Sequence, residues 1–279
     1  MIAKKMDCYK ESLHYYLKNR KRGKAMLRLS VFFRQKILKK FEVPYMEMFI
    51  TTKCNLKCRH CSSLIPYLEK SVNITFEEFK RDIDALLEKI DRLYRLKLHG
   101  GEVFLNPDLC AMIKYADREK KIKSLRIATN GTIIPSKEIL SVLADSKVKV
   151  QISDYPAFSD KADKLEEQFR KHGIKYVRMR GQKWRDMGDG FKRQGNRFKD
   201  CTISRCTSIY KGKVYVCSRA AMIEELGYCF CDGVDLALNR NAFRRELSNL
   251  YLGMYSAACY HCDGDTEFAA VIPTGEQIS

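Results

Sequence analysis

The stretch that decides the fold runs from Tyr45 to Cys61 and reads YMEMFITTKCNLKCRHC. Its first half, Tyr45–Thr52, is apolar and rich in β-formers, which predicts a strand. Its second half places Cys54, Cys58 and Cys61 directly behind that strand in a C-x3-C-x2-C spacing. Moving toward the C-terminus, helical and strand patterns alternate. Thr75 and Glu78 have the spacing of a capping box and open a helix predicted over 74–93. Further strands are predicted at 93–99, 124–129, 148–153 and 174–179. Helices are predicted at 109–120, 136–144 and 161–172, the last stopped by Gly173. This alternation implies right-handed βαβ units and a parallel sheet, open or closed into a barrel. Ligands collect at the carboxyl ends of strands in such folds, so the three thiols stand where chemistry is expected.

Composition narrows the class. The chain has 279 residues, 45% hydrophobic and 11% aromatic, enough for a sizeable core and too much for a disordered tail protein. No apolar run approaches a membrane span, and MIAKKMDCYK lacks a secretory h-region, so a cytoplasmic protein is expected. In a reducing compartment the 12 Cys point to metal or redox chemistry before disulfides. Half of the net charge of +18 falls in residues 1–50, which hold 13 Lys or Arg against 4 Asp or Glu. Met26, Leu29, Phe33 and Ile37 recur at helical spacing within Ala25–Phe41, so residues 1–44 are expected to form a basic helical extension with a solvated face.

Two further constellations stand out. The second strand ends in LKLHGGEVFLNP, where Gly100 and Gly101 permit a close backbone approach and Glu102 can accept hydrogen bonds from an ammonium group. Beyond Gly181–Asn196 the strand–helix alternation stops, which sets a boundary near 196. Residues 201–262 hold seven Cys, at 201, 206, 217, 229, 231, 259 and 262. The run Ile209–Val216, with Lys211-Gly212 at its centre, predicts a hairpin. A zinc site from Cys206, Cys217, Cys259 and Cys262 is one way to use these thiols.

CNLKCRHC followed by GGE at the next strand end resembles the signature of the radical S-adenosylmethionine (SAM) superfamily. The resemblance covers about residues 40–279. It implies an α/β fold, a partial (β/α)6 TIM-type barrel over 45–196. It further implies a [4Fe–4S] cluster on Cys54, Cys58 and Cys61 whose open iron takes SAM. Gly100, Gly101 and Glu102 then meet the SAM amino group, and His60 stacks on the adenine. Thr129 and Asn130, which close the third strand, are further cofactor-site candidates, Ser153 and Asp154 at the fourth strand end approach the ribose, and Arg180 pairs with the SAM carboxylate or an acidic substrate. Residues 197–279 resemble a twitch domain, a short SPASM-like module holding an auxiliary [4Fe–4S] cluster. Its ligands would be Cys217, Cys259, Cys262 and either Cys201 or Cys206, the spare thiol being a candidate hydrogen-atom donor.

The implied activity is reductive cleavage of SAM to a 5′-deoxyadenosyl radical, which abstracts a hydrogen atom from carbon. Similar short proteins include dehydrogenases and epimerases of cyclitols and glycosides, and proteins associated with polysaccharide biosynthesis. A small carbohydrate-type substrate, a sugar, cyclitol, glycoside or nucleotide-sugar and possibly a phosphorylated one, is therefore expected, with oxidation or epimerisation as the outcome. An electron-donor protein such as a flavodoxin or ferredoxin is the expected partner. Peptide maturation is the alternative, and residues 1–44 are too short and too helical for a peptide-recognition domain. A metal-stabilised nucleic-acid-binding protein is a third reading permitted by a pI near 9.4. No aromatic-interleaved basic patch supports it, and nucleic acid is not expected as a partner.

Overall fold

Every residue of strand β1 (Met46–Thr51) is buried, because the strand lies inside the sheet with a partner on each edge. The computed structural model describes residues 40–188, 198–204, 206–253 and 256–278. The expected basic extension lies almost entirely outside the described residues. From β1 the chain runs through α1 (Phe76–Lys89), β2 (Leu96–Gly100), α2 (Leu109–Arg118), β3 (Leu125–Thr129), α3 (Lys137–Ala144), β4 (Val148–Ser153), α4 (Ala162–Lys171) and β5 (Tyr176–Met179). Then follow β6 (Ser208–Tyr210), β7 (Lys213–Tyr215), α5 (Ser218–Glu225), β8 (Val234–Asp235) and α6 (Arg240–Leu252).

The sheet order is β8-β7-β6-β1-β2-β3-β4-β5. Strands β6 and β1 to β5 are mutually parallel, while along the β6 edge β7 pairs antiparallel with β6 and β8 antiparallel with β7. The fold is thus a mixed α/β partial barrel, and the described strands show no pairing that closes it. Registers such as Thr51 opposite Gly100, Thr129 opposite Ile152 and Ser153 opposite Met179 align the carboxyl ends along one rim.

Alternation along the strands separates two faces. Met46, Met48, Leu96, Leu98, Leu125, Ile127, Val148 and Val150 are buried toward the helices. They meet Phe79, Ile83 and Leu86 of α1, and Met112, Ile113 and Ala116 of α2, at the i, i+3, i+4, i+7 spacing of an amphipathic stripe. Each such aliphatic side chain contributes about 1.5–3 kcal/mol on full burial. The other face carries Glu47, Phe49, Lys97, His99, Ala128, Gln151 and Ser153, so it is the polar one.

Two local features differ from the sequence expectations. The helix predicted over 74–93 opens with the expected capping box at Thr75 and Glu78 but ends at Lys89. Arg92–Leu93 instead pairs in parallel with Glu42–Val43, and Asp91 anchors Phe41 through both backbone and side chain. The sixth parallel strand does not follow β5. It comes from beyond residue 196 and covers the outer edge of β1, which would otherwise expose an unpaired ladder. The hairpin that delivers it turns at Lys211 (φ 46°) and Gly212 (φ 78°), the paired positive φ values of a type I′ turn. Among the described residues no helix is long and apolar enough to cross a membrane.

Candidate active site

The loop behind β1 is held down by the end of β2. Gly101 N–H donates to Thr51 O at 3.0 Å, and Glu102 N–H donates to Lys53 O at 2.8 Å. A Cβ on Gly100 would stand 1.9 Å from Thr51 O. One on Gly101 would stand 2.1 Å from Lys53 O and 2.9 Å from Cys54 Cβ. The two glycines therefore serve a close approach, and the partner is the chain's own cysteine loop. Glu102 is 0% exposed and turns its carboxylate toward β3. It accepts hydrogen bonds from Asn130 N at 2.8 Å, Thr129 Oγ1 at 3.0 Å and Phe104 N at 3.2 Å. Burial raises its pKa to about 7 against the lowering effect of those donors.

A single cavity opens at this rim. Its wall includes Cys54, Cys58 and Cys61 on the loop, Gly100 and Gly101 after β2, Thr129 and Asn130 after β3, and Ser153 at the end of β4. Lys97, His99, Gln151, Tyr155 and Trp184 also line it, and among the described residues no Asp or Glu does. Amide donors reach two of the thiols: Gln277 Nε2 lies 3.4 Å from Cys58 Sγ, and Asn130 Nδ2 lies 3.8 Å from Cys54 Sγ. Burial pushes the Cys54 thiol up to about 12 and raises those of Cys58 and Cys61. These thiols prefer to be protonated unless a cation takes the place of the proton. The three thiols share the cavity wall without forming a single-ion cage of His, Cys, Asp or Glu among the described residues. Three soft donors on one loop, two amide N–H groups aimed at sulfur and a wall without carboxylates suit an anionic iron–sulfur cluster.

Other expected site residues stand behind or beside the cavity. His60 is off its wall, with Nδ1 3.6 Å from Asp186 and Nε2 3.9 Å from Glu276. Asp154 is buried and engaged by Arg178 Nε at 2.7 Å. Arg178 is fixed by three carboxylates, Asp154, Asp163 and Glu166, which explains its place on β5 without a ligand. Arg180 is mostly exposed and faces Glu166 at 3.4 Å and Asp154 at 3.8 Å.

The C-terminal cysteines divide. Cys217 is raised by burial and then by the neighbouring thiols Cys201, Cys262 and Cys259. Cys259, pushed up to about 12 by burial, also feels Cys262 and Cys201. Cys201, at about 11, is raised by burial and by Cys262. Cys201, Cys262 and Cys259 thus all act on Cys217, and Cys206 acts on Tyr45, just before β1. Neither Cys201 nor Cys206 lines the cavity. Cys229 and Cys231 pair with each other, Sγ to Sγ, at 3.1 Å.

Several residues at the site went unnoticed in the sequence. Lys97 and His99 precede the glycine pair with strand alternation, and Gln151 precedes Ser153 in the same way. That period-2 signal, counted back from a strand-end motif, finds them. Gln277 and Arg219 reach the loop from remote segments and leave no local signal.

Comparison with known proteins agrees with this geometry. The Radical SAM superfamily model matches residues 48–187. The antilisterial bacteriocin subtilosin biosynthesis protein AlbA of Bacillus subtilis is 34% identical over 115 residues, 39% of this chain and 23% of AlbA. A GTP 3′,8-cyclase of Campylobacter jejuni subsp. doylei is 33% identical over 99 residues, 33% of this chain and 29% of the cyclase. The matches thus span under a third of either relative. The crystal structure of BtrN in complex with AdoMet and 2-DOIA superimposes with a TM-score of 0.52 at 15% identity, covering 82% of this chain and 98% of BtrN.

Proposed function

We propose, from the premise that this chain belongs to the radical SAM superfamily, that it oxidises or epimerises a carbon of a small, hydroxyl-bearing, carbohydrate-type substrate. Its cofactors are SAM and a [4Fe–4S] cluster, which when bound supply a carbon-centred radical able to abstract a hydrogen atom. The observation that carries this reading is the convergence of Cys54, Cys58, Cys61, Gly100, Gly101, Thr129, Asn130 and Ser153 on one cavity.

The residues divide the work. Cys54, Cys58 and Cys61 hold the cluster, and Asn130 and Gln277 donate to the sulfurs. Gly100 and Gly101 fix the loop and present backbone to SAM. Glu102 ties the β3 end to the β2 end, so its effect on SAM runs through the backbone it positions. Ser153, on the cavity wall, would hold the ribose, and Tyr155 with Trp184, ring centroids 5.2 Å apart, supplies an aromatic wall. Cys201, Cys217, Cys259 and Cys262 hold the auxiliary cluster, and a flavodoxin or ferredoxin supplies electrons.

The inner wall favours hydroxyl groups over a diphosphate. Lys97 Nζ is already paired with Glu47 at 3.1 Å. Burial holds His99 at about 4, so it is neutral near pH 7. Lys97, His99 and Gln151 thus offer hydrogen bonds with little net charge. The match to AlbA favours a second reading, modification of a peptide.

Anaerobic reconstitution with iron and sulfide tests the assignment, with iron per chain and 5′-deoxyadenosine release as readouts. The expected result is two clusters and slow release of 5′-deoxyadenosine without substrate. The Cys54→Ala/Cys58→Ala/Cys61→Ala protein should lose one cluster and all cleavage, and cleavage that survived would sink the reading. Substrate-dependent release with a peptide library, and none with cyclitols or glycosides, would select the peptide reading.

A further inference from the structure

Helix α5 starts directly behind Cys217, and its second residue, Arg219, is 1% exposed. Its guanidinium crosses to the cysteine loop. Nη1 donates to the carbonyl oxygens of Cys61 at 3.3 Å and Ser62 at 3.2 Å. Nη2 donates to those of Met187 at 3.2 Å and Gly188 at 2.5 Å. All four acceptors are uncharged. Nε is buried with no acceptor at all. Among the described residues no carboxylate pairs with Arg219, whereas Arg178 on β5 has three.

A guanidinium does not lose its proton at any pH a protein tolerates, so this charge persists in the interior. Burying it against carbonyl dipoles alone is costly, and a nearby anion would remove that cost. The anion is not supplied by a side-chain carboxylate. A group able to supply one is the thiol set that ends at Cys61, whose carbonyl Arg219 already holds. Three thiolates around a [4Fe–4S] core carry net negative charge, and more of it after reduction.

We infer that Arg219 is the fixed counter-charge of the cluster on Cys54, Cys58 and Cys61, delivered to the barrel by the C-terminal cysteine-rich region. This rests on the reading that those three cysteines hold a cluster. In a low-dielectric site the cation stabilises the reduced cluster more than the oxidised one and raises its reduction potential. Because Arg219 follows Cys217 by two residues, the start of α5 joins the two cysteine sets. It is a positioning and electrostatic residue, with no contact to substrate.

The test is a redox titration of the full reconstituted chain, following by EPR the cluster signal that changes when SAM is added. Arg219→Met and Arg219→Gln should keep the iron content and move the midpoint of that signal to lower potential. Arg219→Lys, which keeps the charge but loses the fork, should return most of the shift. A role in packing alone would leave the midpoint in place in all three variants, and an unmoved midpoint in Arg219→Gln overturns the inference. Should Arg219→Met fail to fold, Arg219→Gln keeps amide donors for the carbonyls and carries the same comparison with Arg219→Lys. Wild-type chain that takes up no iron at Cys54, Cys58 and Cys61 would refute the cluster reading, which is a different result from a loaded cluster with an unchanged potential.

Discussion

Cys54, Cys58 and Cys61 lie within eight residues of one loop, whereas Cys201, Cys217, Cys259 and Cys262 are drawn from segments spread over 62 residues. The first set needs only a short loop between a strand and its next turn. The second needs the β6–β7 hairpin to deliver Cys217 and a 3-10 turn, Ala257–His261, packed on α5 to deliver Cys259 and Cys262. Closing a long loop costs entropy that the surrounding packing must offset. The first set lines an open cavity, and in the second Cys217 is acted on by Cys201, Cys262 and Cys259. A three-thiol site with an open side is built for a reactant.

The largest effect that could break this contrast concerns the loop's dependence on β2. Gly101→Ala forces a Cβ to within 2.1 Å of Lys53 O, a backbone atom with no flexible end to move aside. Over-packing of this kind typically costs about 1–3 kcal/mol, and here the strain falls on Cys54. Cleavage of SAM should drop to background while the second cluster stays. Mössbauer or iron analysis together with 5′-deoxyadenosine release checks this, and normal cleavage by Gly101→Ala would show that the loop does not lean on the glycine pair.

Next in size is the choice of fourth thiol in the second set. Cys201→Ala should lower iron from about eight to about four per chain, as expected for loss of one [4Fe–4S] cluster. Cys206→Ala should keep it, because the thiols that act on Cys217 are Cys201, Cys262 and Cys259, while Cys206 acts on Tyr45. The reverse pattern would reassign the ligand.

The smallest effect concerns the polar wall beneath the first set. His99 is held neutral by burial, with its pKa lowered from 6.5 to about 4. The unfolded chain therefore binds a proton first as pH falls, and stability present above 6.5 is lost progressively down to about 4. The full loss is about 3 kcal/mol at 1.36 kcal/mol per pH unit. Glu47 acts in the same direction at lower pH. Although burial opposes it, the Lys97 ammonium holds this carboxyl at about 2, so its contribution fades as pH falls from the usual carboxylate range. Urea titrations at several pH values on wild type and His99→Gln check the first term. The variant should lose part of the slope between pH 6.5 and 4.

Most strands and helices of the barrel were legible because their signals are local. The capping box at Thr75, the stop at Gly173 and the alternation in VKVQIS each act over a few residues. The early end of α1 at Lys89 was not legible, since it depends on Glu42–Val43 pairing with Arg92–Leu93 from a distance. In the site, the C-x3-C-x2-C spacing and GGE were plain, but the reason for the glycines was not. Sequence suggested room for a ligand, and the fold uses that room for the loop backbone. His60 and Arg180 looked like SAM contacts from their neighbours in sequence, yet carboxylates from elsewhere hold both beside the cavity.

The sequence alone settled the superfamily signature, the order of the elements from β1 to β5 and the three-cysteine loop behind β1, because each is written within a turn or a strand. Only the tertiary structure decided that Cys201, Cys259 and Cys262 all act on Cys217, that β6 completes the parallel set beside β1, and that Arg219 reaches the carbonyl of Cys61. These pairings join residues more than a hundred positions apart, or thiols whose spacing fits more than one set. Their energies come from burial and charge in a shared interior, and no window of sequence contains that interior.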